Sequence, residues 1–409
     1  MSDNPITISV IIPVYNAAQH LSECLDSLLN QTLKDLEIIC INDGSTDSSL
    51  EILREYSQKD SRVIVIDQKN SGQGATRNRA LEISRGEFIT GLDSDDYLAP
   101  DCYEIALRHM TEEVDMVVYG SKPFGSNKDV VDEFARYLHI ESSGHVEVNV
   151  QTIGLITNVI WNKIFRRSII EQYSIRFPEK VWYEDMAFIQ MYSAVIRQTY
   201  MIAQNLHFYR IHSCSVMGKT RQRNAKAMDI LPATEAVFDF YCKHNLWQSF
   251  LPQIEKLTNT AIWRLDSVPP TMRLRAKVKL ASFVKKWDLQ SQFPKDKRLN
   301  ILPTNTLDII NQFINEVFGK ANRSGSLVGR NTGDIGHSYS ETRMHRLFCC
   351  VPLLSTRTSY YHSKRLTKTR YKLFGLIPIL LVRRGKKEKR WLLFHFIPIW
   401  NIKYKSTDD

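Results

Sequence analysis

Apolar positions in the first hundred residues alternate between two periods. Ile6–Tyr15 is a continuous run rich in β-branched residues, the pattern of a strand covered on both faces. Leu21, Cys24, Leu25, Leu28 and Leu29 then recur at spacings of three and four, which predicts an amphipathic helix. Leu36–Ile41 reads as a second buried strand. Leu50, Leu53 and Tyr56 predict a second helix, with Ser48 and Glu51 spaced for a capping box. Val63–Ile66 is a third strand, Gly74–Ser84 a helix and Glu87–Leu92 a fourth strand. Asp101–Met110 follows as a helix, with Pro100 suited to its first turn. Repeated strand–helix–strand units mean an α/β fold with a mostly parallel central sheet. Ligands of such sheets bind beyond the carboxyl ends of the strands.

Past Met110 the pattern changes. Residues 120–150 read as irregular and polar, and 152–216 as mixed with several aromatics. Amphipathic stretches at Ala225–Cys242, Phe250–Trp263 and Leu307–Phe318 predict a helical region, and the Gly/Ser/Asn-rich residues 321–342 a linker. The tail repeats Leu-Phe-x-x-(Val/Ile)-Pro-(Leu/Ile) at Leu347–Leu353, Leu373–Ile379 and Leu393–Ile399. Proline inside each apolar run argues for short edge strands or hairpins and against a central strand. The expected division is 1–217, an α/β domain; 218–320, helical; 321–342, linker; and 343–409, a basic, β-rich tail.

Composition narrows the class. A chain of 409 residues, 43% apolar and 24% charged, is globular and long enough for two to three units. Its longest apolar run, Phe374–Val382, falls short of the ~20 residues of a spanning helix. The start of the chain reads as a strand and not as a signal peptide. Seven cysteines without a CxxC pair point to a reducing compartment and away from structural zinc. The net charge of +10 is concentrated: residues 341–409 hold 16 Lys/Arg against four Asp/Glu, and the rest of the chain is nearly balanced. Such a localised field suggests an anionic surface as partner.

Three strand ends carry the candidate chemistry: Pro13-Val14-Tyr15-Asn16, Asn42-Asp43-Gly44-Ser45 and Asp93-Ser94-Asp95-Asp96. All lie on one edge of the predicted sheet. Three carboxylates within four residues repel one another, and a hard divalent cation, Mg²⁺ or Mn²⁺, would offset that repulsion. The plainer alternative is a solvated acidic turn before the Pro100 helix. Gly72 and Gly74 do not form a dinucleotide fingerprint, because Arg77 stands at the third glycine position and the stretch follows strand three.

The chain resembles the family-2 glycosyltransferases with the GT-A fold over about residues 6–217. The resemblance is carried by PVYN at 13–16, NDGS at 42–45, Ser71-Gly72-Gln73-Gly74-Ala75-Thr76-Arg77-Asn78, LDSDD at 92–96, Trp161-Asn162-Lys163-Ile164-Phe165-Arg166, Tyr183-Glu184-Asp185 and Tyr209-Arg210-Ile211-His212. It implies that Pro13, Tyr15 and Asn16 lie against the base and ribose of a nucleotide sugar. Asp43 then accepts a hydrogen bond from the base, and Arg77 contacts the nucleotide. Asp95 binds the metal directly, while Asp93 reaches the ribose or the metal. His212 completes the metal or diphosphate site, and Arg210 faces the diphosphate. Asp185 is the general base of an inverting transfer and Glu184 serves the acceptor side. Trp182 and Trp161 stack on sugars or are buried aromatics.

The expected function is a metal-dependent, inverting transfer of sugar from a nucleotide donor, UDP-linked, to a glycan or lipid-linked acceptor in surface polysaccharide or lipopolysaccharide synthesis. The expected location is cytoplasmic, peripheral on the inner face of the plasma membrane. A sugar-phosphate nucleotidyltransferase would carry G-x-G-T-R after strand one, where Val14-Tyr15-Asn16-Ala17-Ala18 stands. A non-catalytic nucleotide-sugar-binding module would not need Asp43, Asp95, Asp185 and His212 together. No nucleic-acid signature accompanies the basic tail. Each Lys or Arg near an anionic leaflet contributes ~1 kcal/mol. The full chain is therefore expected to pellet with anionic vesicles at low salt and to be released at high salt. Deleting residues 343–409 is expected to abolish pelleting and spare UDP binding. No pelleting even at low salt would leave the tail a packing unit.

Overall fold

The computed structural model describes residues 6–212, 224–296 and 299 with their side chains, and the backbone of 356–361, 366–373, 377–384 and 388–393. The first strands and helices form where the two periods place them: β1 (Ile8–Val14), α1 (Leu21–Leu29), β2 (Leu36–Asp43), α2 (Ser49–Lys59), β3 (Val63–Gln68), α3 (Gln73–Ile83), β4 (Phe88–Gly91), β5 (Tyr97–Leu98) and α4 (Cys102–Leu107). β1 pairs in parallel with β2 and β4, and β2 with β3. Every residue of β2 is buried, which is why its pattern is continuous and not alternating. Ile8, Val10, Ile12 and Val14 join Leu21, Cys24, Leu25 and Leu28 in one cluster. Each fully buried aliphatic side chain there contributes ~1.5–3 kcal/mol.

The Ser48–Glu51 capping box does not form, since no side chain caps α2. Asp47 takes the role instead, its Oδ1 accepting the Ser49 backbone N–H at 3.0 Å and the Ser49 hydroxyl at 2.6 Å. Residues 120–150 are also more regular than their polarity suggests. They hold most of β6 (Met116–Gly125), α5 (Lys128–Tyr137) and β7 (Gly144–Glu147). β8 (Lys163–Arg166), α6 (Arg167–Gln172), α7 (Glu184–Ser193) and the long β9 (Gln198–Ile211) follow. The sheet order is β3-β2-β1-β4-β8-β6-β9-β5, with β7 paired to β9. β8 runs antiparallel between β4 and β6, and β9 runs parallel to β6. Buried pairing partners, and not local propensity, order this half of the sheet. The helices Ile230–Lys243 and Leu251–Leu265 correspond to two predicted amphipathic stretches; the third, Leu307–Phe318, and the linker lie outside the described residues. No described helix is long and apolar enough to cross a membrane.

The tail strands form their own antiparallel sheet: β10 (Thr356–Tyr361), β11 (Leu366–Leu373), β12 (Ile377–Arg384) and β13 (Glu388–Leu393), in that order. In the middle copy of the tail repeat, Leu373 at the end of β11 stands opposite Ile377 at the start of β12. The expectation that proline keeps these runs out of inner strands is corrected here, because β12 is an inner strand and contains Pro378. Pro378 is its second residue, so the missing N–H falls at the strand's beginning. The first repeat copy, and the third beyond Leu393, lie outside the described residues.

Two glycines explain how α3 docks. Gly72 precedes it at φ +88°, a region open chiefly to glycine. Gly74 meets residue 178 so closely that an added Cβ would lie 2.2 Å from the Pro178 carbonyl oxygen. Alanine gains ~0.5–1 kcal/mol in a helix interior, but overpacking costs about 1–3 kcal/mol. The clash wins: Gly74→Ala is expected to lower the urea midpoint, and a raised midpoint would mean the Pro178 segment yields freely.

Candidate active site

The carboxyl ends of β1 and β2 are knitted by short polar side chains. Asn16, at φ +49°, accepts the Thr46 N–H on Oδ1 at 2.7 Å, and its own N–H donates to Ser45 Oγ at 3.0 Å. Pro13 is half-buried in β1, and the Tyr15 ring beyond it is 54% exposed, leaving a face open for stacking. Asp43 is buried. Its Oδ1 accepts the Ser71 N–H at 2.8 Å and the Gln68 amide at 2.9 Å, and its Oδ2 accepts the Gly72 N–H at 2.9 Å. Asp43 thus holds the turn that launches α3 against the end of β2.

Arg77 follows one turn into α3. It is buried, donating to Glu184 Oε1 at 2.5 Å and to Asp93 Oδ1 at 3.0 Å, with its guanidinium 5.7 Å from the Phe177 ring. Arg77 thus makes a double bridge from a buried position. Asn78 beside it had no expected role. Its amide closes a two-way clamp on Phe177, donating to the carbonyl and accepting from the N–H, both at 2.9 Å.

After β4 the chain turns at Asp93, Asp95 and Asp96, whose carboxylate oxygens lie within 4.8 Å of one another. Asp96 is buried and accepts the Arg210 N–H at 2.7 Å, and its Oδ2 lies 3.2 Å from His207 Nε2. His207 stacks on Trp161 at 4.3 Å, and burial pushes its pKa down to about 3. Trp161 is itself buried and also stacks on Tyr209, so of the two tryptophans weighed for sugar stacking it belongs to the core. Burial pushes the Asp93 carboxyl up to about 6, against the pull of Arg77 and with repulsion from Asp95. Asp95 and Asp93 remain partly exposed. His212, at the end of β9, brings Nε2 to 2.8 Å from Asp95 Oδ2. The three carboxylates form an oxygen set that fits Mn²⁺ or Mg²⁺, and His212 adds an imidazole beside Asp95. Arg210 is held close by: Nε donates to the Asp95 carbonyl at 2.9 Å, the guanidinium pairs with Glu23, and it lies 4.6 Å from the Phe124 ring.

The acidic pair at 184–185 opens α7. Tyr183 before it is left-handed at φ +70°. Glu184 points inward to Arg77. Asp185 accepts the Met186 N–H on Oδ1 at 2.7 Å. Burial pushes its carboxyl up to about 7, aided by Glu184 and opposed by Arg77. Trp182 is half-buried, its N–H donating to Asp229 Oδ2 at 3.2 Å. Lys163 is fully buried, and its amine reaches Asn162 Oδ1 at 2.6 Å, the Val159 carbonyl at 2.7 Å and Thr157 Oγ1 at 3.0 Å. Burial lowers its pKa well below the lysine range, against the attraction of Asp185. Between Thr157 and Val159, the Asn158 side chain accepts from Gln190, which in turn accepts from Gln253, each at 2.7 Å. This amide chain ties the helix Leu251–Leu265 to α7, and no periodicity or motif announces it.

The family model described as Glycosyl transferase family 2 matches residues 9–174. The chain is 35% identical over 236 residues to "Putative glycosyltransferase EpsH" of Bacillus subtilis (strain 168), covering 56% of this chain and 68% of that protein. It is 35% identical over 182 residues to the poly(ribitol-phosphate) beta-glucosyltransferase of Bacillus spizizenii, covering 42% of this chain but only 27% of that one. Among solved structures, S. aureus TarS residues 1–349 in complex with UDP aligns over 71% of this chain and 92% of its own, at 21% identity and a TM-score of 0.44. An α/β sheet with Asp43, Asp93 and Asp95 at its strand ends, and an identity of 35% that spans more than two thirds of EpsH, carry one conclusion: this chain is a glycosyltransferase and belongs to glycosyl transferase family 2.

Proposed function

We propose that the protein transfers a sugar, with inversion, from a uridine diphosphate donor to a hydroxyl of a glycan or lipid-linked acceptor in polysaccharide synthesis, Asp185 acting as general base. The observation that carries this reading is the Arg77 bridge. It ties Asp93, in the metal-fitting cluster, to Glu184, the neighbour of Asp185, so donor-side and base-side carboxylates share one buried cation. In this reading the Tyr15 face and the edge of Asp43 border the nucleotide. Asp93, Asp95 and His212 would hold Mg²⁺ or Mn²⁺. When bound, the cation would supply charge neutralisation for the departing diphosphate.

Asp185 suits proton abstraction. Oδ1 is occupied by the Met186 N–H, which orients the carboxylate and leaves Oδ2 to take the proton of the attacking hydroxyl. A carboxyl raised to about 7 is far more basic than an exposed aspartate and is still ionised for a large fraction of molecules at neutral pH. Glu184, bonded to Arg77, keeps the first turn of α7 fixed. The name of the B. spizizenii relative, which cites a poly(ribitol-phosphate) acceptor, supports an acceptor that is a polymer. The basic tail adds an anionic membrane surface as a partner, with the protein peripheral on its cytoplasmic side.

Three outcomes test the reading. UDP is expected to bind more tightly with Mn²⁺ than with EDTA in calorimetry, and Asp95→Ala to lose most of that difference; equal affinities would take the metal out of the scheme. Asp185→Asn is expected to keep UDP affinity while transfer drops ~10²-fold or more; transfer within threefold of wild type would assign the proton to another group. Because the working form of Asp185 is the carboxylate, log kcat/KM is expected to rise with slope one as pH increases and to level above about 7. Asp185→Asn should remove that limb.

A further inference from the structure

The helix Leu251–Leu265 has two unlike faces. Gln253, Ile254, Leu257, Thr258, Ala261 and Leu265 are buried. The opposite stripe lines an open groove of ≈ 490 Å³ with Glu255, Lys256, Asn259, Thr260 and Trp263 among its walls. One feature of this groove serves no purpose in the fold. Trp263 is 60% exposed, so most of its ring contributes nothing to the core.

Arg264 links Trp263 to the segment that carries the base. Its guanidinium lies 4.7 Å from the Trp263 ring and 5.7 Å from the Tyr183 ring, and Tyr183 directly precedes Glu184 and Asp185. From α5, Tyr137 adds a ring that is 47% exposed, its hydroxyl accepting the Asn158 N–H at 3.2 Å. Asp185 and Arg264 both act electrostatically on the two tyrosines. Exposed aromatic faces and a guanidinium without a carboxylate partner among the described residues are stacking and donor groups that a pyranose ring uses.

We propose that this groove is a binding subsite for a saccharide unit of the acceptor, with Trp263 stacking on the sugar, Arg264 hydrogen-bonding it, and Tyr183 leading the chain to Asp185. The subsite rests on the transferase reading above, since a base without an acceptor has no need of it. It makes the helical region a determinant of acceptor choice.

The test uses the full chain with UDP and Mn²⁺, and two probes, chitohexaose and hyaluronan hexasaccharide, followed by saturation-transfer NMR. At least one probe is expected to bind saturably. Trp263→Ala is expected to weaken it about tenfold, the scale of a lost aromatic stack, and Trp263→Phe to restore most of the affinity. Arg264→Ala should weaken it as well, and UDP affinity should be unchanged in all three variants. Because Trp263 is mostly exposed, its replacement leaves the core intact. Failure of both probes to bind, or undiminished binding by Trp263→Ala, would overturn the subsite while leaving the transferase reading in place. A wild-type chain that binds hexasaccharide but not UDP would instead remove the uridine diphosphate donor from the proposed function.

Discussion

The site depends on one buried guanidinium. Arg77 stands on α3, yet its two carboxylate partners belong to the turn after β4 and to the first turn of α7. Ion pairs of this kind carry a large desolvation cost, and removing one partner from such a pair typically costs 3–5 kcal/mol because the other charge is left unpaired. The bridge therefore acts as a registration device. With Arg77 seated, Asp93 and Glu184 cannot drift apart, and Asp185 is held beside them. Gly74, one turn before Arg77, and Asn78, next to it, serve the same end, the first by letting α3 approach Pro178, the second by clamping Phe177.

Charge is graded across this bridge. Asp96 faces inward and is spent on the Arg210 N–H, while Asp93 and Asp95 stay partly open and His212 meets Asp95. On the other side Asp185 is raised and keeps one oxygen available. Carboxylates so near each other are pushed to different charge states by their surroundings, which is what the proposed division into a cation-binding set and a base requires.

The surroundings of Asp185 are assembled from distant sequence. The Gln253–Gln190–Asn158 chain and the buried Lys163 fix the 157–163 loop against α7, and satisfied buried polar networks of this kind confer rigidity and a unique arrangement. The helical region after the sheet is thus part of the site's frame.

Much was legible in the sequence, and for physical reasons. Buried parallel strands demand continuous apolar runs, so β1 to β4 stand out in the text of the chain, and strand ends are where a parallel sheet binds ligands, so Asp43, Asp93 and Asp95 could be singled out. The YED and YRIH stretches could be matched to a family as words. What the sequence could not reveal was who meets whom. Residues 120–150 read as irregular because β6 and α5 owe their order to pairing and packing with β8 and β9, which lie far along the chain. Arg77 carries no mark that its partners are Asp93 and Glu184. Trp161 and Trp263 look alike as letters, yet one is buried between His207 and Tyr209 and the other stands 60% exposed. Periodicity reports which face of an element is dry; only the tertiary structure decides which dry faces meet and which charged groups are enclosed between them, because burial and pairing are properties of contacts between segments and not of any one segment.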